Sequence, residues 1–147
     1  MGINVNMKIK VKRIDKSLPL PDYHTEGAVA FDLYSRVDAV ILPKTVERLP
    51  SNIIIEIPKG YMLEVKDRSS TIKRKGLLVT TGYIDNDFHG EGDEIALQVY
   101  NLTDSDVKIE KGERLGQGVF IKIDVAEWEE VTTMADSNRG GFGTTGH

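Results

Sequence analysis

No window of a dozen residues carries an amphipathic period near 3.6, while many short stretches alternate apolar and polar residues at a period of two. That combination restricts the chain to strands with little helix. From Met7 to Ile14 the apolar Met7, Ile9 and Val11 alternate with Lys8, Lys10 and Lys12, which puts one face on a core and one in water. Similar segments run from Val37 to Leu42, Ile53 to Ile57, Tyr61 to Val65, Leu77 to Thr80, Glu94 to Tyr100, Val107 to Ile109 and Val119 to Ile123. Turn signals such as Pro58-Lys59-Gly60 and Lys111-Gly112 separate them. Short strands with regular punctuation predict an all-β antiparallel sandwich or barrel. One short helix is expected at about Ser69 to Arg74, with Ser69 or Ser70 capping its first turn.

Composition narrows the functional classes. The 147 residues suit one domain with a core that needs no disulfide or structural metal. The absence of cysteine removes thiol catalysis and thiolate metal sites. A net charge of −4 argues against direct nucleic-acid binding through a broad basic surface, so an anionic ligand must be held by a few placed cations. No apolar run exceeds four residues and the N-terminus builds no signal-peptide segment, which leads us to expect a soluble, cytoplasmic protein with no membrane partner. The chain divides into a β domain, residues 1–134, and a polar, glycine-rich tail, residues 135–147, with too little apolar surface to order itself. His24, His89 and His147 stand in no metalloprotease or deaminase spacing and read as surface residues.

Five segments combine glycine with charged or polar residues beyond what strands and turns require. They are Gly27 to Ser35 with Asp32; Arg68-Ser69-Ser70; Gly82 to Gly90 with Ile84, Asp85, Asp87 and Phe88; Gly112 to Gln117 with Arg114; and Arg139 to Gly146 with Phe142, Gly143, Thr144 and Thr145. Arg68 and Arg139 offer forks of donors to phosphate oxygens, and the glycines beside Arg139 let backbone approach an anion. Gly82 and Gly90 bracket an expected β-hairpin with Asp85 at its tip. Each segment also has a plainer reading. An Ile-Asp-Asn turn often serves only as a cap, Phe88 could be core, Arg139-Gly-Gly could be a solvated terminus, and Asp32 could be a structural carboxylate paired with Arg114.

In this order the five segments closely resemble the five motifs of the trimeric dUTP pyrophosphatase (dUTPase) family, over about Gly27 to Gly146. The resemblance implies a distorted, jelly-roll-like homotrimer with a flexible C-terminal tail that closes a site formed by neighbouring subunits. It implies hydrolysis of dUTP to dUMP and pyrophosphate with Mg²⁺, which limits uracil in DNA and supplies dUMP for thymidylate synthesis, in the cytoplasm or, for a viral protein, the host's. By similarity Asp85 activates the water, the hairpin backbone around Gly82 and Ile84 reads uracil, and Phe88 packs on the deoxyribose where the family usually has Tyr. Ser69 with Arg68 and Ser70, Gln117, and Arg139 with Gly143, Thr144 and Thr145 meet the phosphates, while Phe142 stacks over uracil. Asp32 is expected to act on the metal only through water, because Mg²⁺ takes most of its ligands from the triphosphate. Glu91-Gly92-Asp93 looks like extra residues that lengthen a surface loop.

Two alternatives stand beside this reading. A dCTP deaminase, or a bifunctional deaminase and pyrophosphatase, shares the architecture but places a glutamate on the strand after the hairpin. Here Gln98 falls at that place, with Glu94 as the substitute. A catalytically silent β-sandwich used as a scaffold is the other.

Overall fold

In the computed structural model, which describes residues 7–143, the chain forms eleven strands and one helix. In chain order these are β1 (Val11–Arg13), β2 (Phe31–Tyr34), β3 (Ala39–Ile41), β4 (Val46–Pro50), β5 (Ile53–Ile55), β6 (Tyr61–Asp67), α1 (Thr71–Lys75), β7 (Leu77–Val79), β8 (Gly82–Ile84), β9 (Ala96–Asn101), β10 (Val107–Ile109) and β11 (Arg114–Lys122). Every pairing is antiparallel. A four-stranded sheet runs β2-β11-β6-β8, a three-stranded sheet runs β4-β9-β7, and the pairs β1-β5 and β10-β3 complete the fold without closing a barrel.

Alternation along the strands builds the core. Leu97, Val99 and Asn101 of β9 are buried, as are Leu63 and Val65 of β6, and the apolar ones meet Phe31, Leu33, Ile53, Leu77 and Leu115 in one cluster. Gly118 allows the two central strands of the larger sheet to pack under Phe31, since a Cβ there would lie 2.6 Å from that ring. Asn101, fully buried, donates to the carbonyls of Ile41 and Ser105 at 3.0 and 2.8 Å, which satisfies the polar group inside the core.

Several expectations change. The N-terminal strand covers only Val11–Arg13, and the apolar face expected to be buried instead lines an open groove of about 640 Å³ with Leu20, Tyr23 and Val29. Strands β2 and β4 were not expected. Ser70 stands at the helix start, but its side chain makes no capping bond; the helix ends at Gly76, in the left-handed conformation. The expected hairpin is a longer excursion. β8 leaves its chain neighbours to pair with β6, and residues 85–95 return as turns, with Gly90 N–H donating to the Asp93 carboxylate at 2.8 Å. Beyond Lys122 the described chain has no regular element, and Val125, Trp128, Met134 and Phe142 lie open to solvent. Among the described residues no helix is long and apolar enough to cross a membrane.

Candidate active site

Four of the five sequence segments converge on the four-stranded sheet, in the order first, fourth, second, third. Asp32 on β2 pairs in register with Gln117 on β11, which pairs with Lys66 on β6, and Val65 pairs with Gly82 on β8. At one end of that sheet a buried carboxylate gathers cations. Asp32 is 6% exposed; its Oδ1 pairs with Arg68 Nε at 2.9 Å, and its Oδ2 faces Arg114 Nη1 at 3.4 Å and His24 Nε2. A buried carboxylate costs several kcal/mol unless paired, so these partners account for its presence in the core. The Tyr34 hydroxyl nearby is pushed up from its ordinary value, first by burial and then by Asp32.

The Asp32–Arg114 pairing is the structural alternative the sequence offered. Arg68 at Oδ1 and Arg114 at Oδ2 give each carboxylate oxygen of Asp32 a cationic neighbour. Among the described residues no group of three His, Asp or Glu side chains is arranged to hold a metal. Arg68 and Arg114 also line a basic groove of about 340 Å³ with Ser70, Arg74 and Lys75. Gln117 donates its amide to the carbonyl of Asp67 at 3.1 Å, which turns its carbonyl oxygen away from that partner. Ser69 is exposed and Ser70 half-buried, with Arg68 Nη1 only 3.5 Å from the Ser70 hydroxyl.

Asp85 sits elsewhere. The pairing of Ile84 with Leu63 sets Asp85 level with Met62, six residues before Arg68, or about 20 Å along the strand at about 3.3 Å per residue. Asp85 is exposed, just past β8, and Phe88 closes the turn by donating its backbone N–H to the Asp85 carbonyl at 3.2 Å. The strand that carries Asp85 starts at Gly82, whose φ of +82° is one that side-chain-bearing residues rarely adopt. Ile84 packs its side chain on the core and pairs in register with Leu63 of β6. Phe88 is 38% exposed, neither core nor fully solvated. Arg139, Phe142 and Gly143 are in the irregular tail, with Arg139 and Phe142 exposed; Thr144 and Thr145 lie outside the described residues.

The residues a deaminase would need are committed elsewhere. Glu94 takes Arg36 Nε and Nη2 at 2.8 and 3.0 Å and the Asn52 backbone N–H at 2.7 Å. Arg36 is pushed above its ordinary value by the hydrogen bond to Glu94. Gln98, the side chain at the matching place, accepts from Arg48 at 3.1 Å and donates to Thr80 at 3.0 Å. His24 is the residue the sequence reading passed over. Eight positions separate it from Asp32, and no spacing rule joins them.

The dUTPase family model matches residues 16–146, and with them all five segments. The chain belongs to the dUTPase family. Among curated relatives, the deoxyuridine 5'-triphosphate nucleotidohydrolase of Helicobacter pylori strain J99 is 37% identical over 144 residues, covering 95% of this chain and 97% of its own. The enzyme of the same name from Hydrogenobaculum sp. is 38% identical over 146 residues, covering 95% and 99%. The fold matches that of the Staphylococcus bacteriophage 80alpha dUTPase with dUPNHPP at a TM-score of 0.85 and 23% identity, over 97% of this chain and 99% of that one. A mutant dUTPase of phage phi11 of S. aureus, described with a structural Mg(II) ion, has a TM-score of 0.78 at 19% identity, over 86% and 98%.

Proposed function

We propose that this chain hydrolyses dUTP to dUMP and pyrophosphate as a homotrimer in which Asp85 of one chain works beside Arg68 of another. The sheet register carries this reading. A nucleophilic water and the phosphorus it attacks must approach within about 3–3.5 Å, so groups ~20 Å apart in one chain cannot serve the same phosphate. A rotated copy removes the separation. The family membership and the dUTP-type names of the relatives supply the substrate class.

In this reading Asp85 takes a proton from the attacking water as the new oxygen–phosphorus bond forms at the α-phosphorus. The bond to the bridging oxygen breaks, and its electron pair leaves with pyrophosphate. Arg68, held from behind by Asp32, stabilises the charge that moves onto the leaving group, with Ser69, Ser70 and Gln117 beside it. The substrate is the Mg²⁺ complex of dUTP, with the triphosphate rather than the protein supplying the metal's close ligands. The backbone at Gly82 and Ile84 reads uracil, and Phe88 packs on the sugar. Residues 135–147 form a closing segment over a neighbour's site: Arg139, Gly143, Thr144 and Thr145 contact terminal phosphates and Phe142 covers the base. The deaminase alternative is not favoured, because Glu94 is held by Arg36 and β9 carries no carboxylate.

Incubation with each dNTP and Mg²⁺ should release pyrophosphate from dUTP and far less from dTTP or dCTP. Asp85→Asn should lower that rate by about 10²- to 10⁴-fold. Equal turnover of the three nucleotides, no turnover of dUTP, or an undiminished Asp85→Asn rate would each reject the proposal.

A further inference from the structure

The turn that carries Arg68, Ser69 and Ser70 is tied to β11 on both of its flanks. β6 ends at Asp67 in the four-stranded sheet and β7 begins at Leu77 in the three-stranded one, so residues 68–76 cross between sheets and no strand register holds them. On the near flank Gln117 Nε2 donates to the Asp67 carbonyl at 3.1 Å. On the far flank Thr71 Oγ1 donates to the Leu115 carbonyl at 2.9 Å, and the Thr71 N–H closes the turn on the Arg68 carbonyl at 3.0 Å. β11 is irregular at the point where Thr71 reaches it. Arg114 pairs with Tyr34 and Gly116 with Leu33, which leaves Leu115 as an extra residue in the ladder with β2.

Thr71 is buried and opens α1, where a threonine hydroxyl ordinarily finds its partner within its own helix or turn. Here it crosses to a residue 44 positions away. The other ties of this segment to the same sheet edge, Arg68 to Asp32 and Lys75 to Glu113, run through long side chains partly open to water. Thr71 reaches its partner through one stiff χ1, so its bond fixes a position where theirs leave play. We propose that Thr71 positions the Arg68-Ser69-Ser70 turn against β11, at a set distance from Gln117. The proposal rests on the reading that this turn meets the triphosphate. It adds a residue just outside the second segment, acting through the turn rather than on the nucleotide.

Four proteins decide it: the parent, Thr71→Val, Thr71→Ser and Arg68→Ala. Each is assayed below its melting transition for kcat and KM with dUTP, for affinity towards the non-hydrolysable analogue dUPNHPP, and for inhibition by deoxyuridine, which has the base and sugar but no phosphate. Thr71→Val keeps the shape and loses the hydroxyl. It should weaken the analogue about tenfold and lower kcat/KM by about 10- to 100-fold, since a misplacement near 1 Å is enough for the larger figure. Deoxyuridine inhibition should stay within about twofold, because loss of one buried hydrogen bond at this turn leaves the base and sugar contacts in place. Thr71→Ser keeps the hydroxyl and should recover most of the analogue affinity. Thr71→Ala, which sets no methyl group against the Leu115 carbonyl, takes the place of Thr71→Val if that variant does not fold. If Arg68→Ala weakens the analogue while Thr71→Val leaves it unchanged, the inference is wrong and the phosphate role of the turn stands. Equal weakening of deoxyuridine and analogue in Thr71→Val, or a Thr71→Ser protein no better than Thr71→Val, would also overturn it in favour of a purely structural threonine. If Arg68→Ala itself changes nothing, the underlying reading fails and the inference falls with it.

Discussion

Single side chains in this chain are defined by what they are tied to. Asp15 accepts from Ser17 N–H and hydroxyl at 2.8 and 2.6 Å and pairs with Lys111 at 2.6 Å, while its own N–H donates to the Asn52 side chain at 2.6 Å. The Lys111 and Ser17 bonds hold its carboxyl far below the ordinary value of 3.8. A depressed folded-state value means stability that is present above the unfolded value and lost as pH falls through the folded one. Asp15→Asn should therefore lower the melting temperature at neutral pH, and the gap to the parent should close as pH drops below 3.8, read by thermal denaturation across an acid series. Side chains such as Asp85, Arg68 and Gln117 were legible as candidates because their segments are short and ordered. The partner of Asp32 was only half legible: Arg114 sits within a recognised segment, whereas His24 does not.

At the scale of elements, the strands that escaped notice explain how burial overrides pattern. Val46–Pro50 ends in proline and buries only Leu49, so it carries no alternation, yet it pairs residue for residue with β9 from Val46–Tyr100 to Pro50–Ala96. Phe31–Tyr34 is buried on both faces apart from Tyr34 and so also lacks a period of two. β11 begins five residues before its expected start because Gly116 and Gly118 read as turn residues. They are strand glycines whose missing side chains make room for Leu97 and Phe31. Gly118→Ala should thus destabilise the protein by about 1–3 kcal/mol through overpacking, seen as a lower urea midpoint with unchanged m-value, and Phe31→Leu in the same chain should restore part of it. The expected hairpin failed for a related reason: β8 finds its hydrogen-bond partners on β6, in the other sheet from β7 and β9.

At the scale of the whole molecule, the proposed trimer has a direct consequence. If Asp85 and Arg68 of one site come from different chains, Asp85→Asn and Arg68→Ala proteins should each be nearly inactive alone. Refolded together in equal amounts, they should regain about a quarter of parent activity, the share of sites that draw both intact residues from a random trimer. No recovery would assign both groups to one chain, and a solution mass of a single chain would remove the assembly altogether. The one-domain size, the β class and the five chemical segments were determined by the sequence alone, because alternation, turn residues and short ordered motifs are local properties of the chain. Only the tertiary structure decided that Asp32 lies between Arg68 and Arg114, that His24 joins it, and that Asp85 stands a strand's length from Arg68. Those facts depend on strand register and on which side chains a buried charge can find, and residues far apart in sequence acquire such neighbours only when the sheet forms.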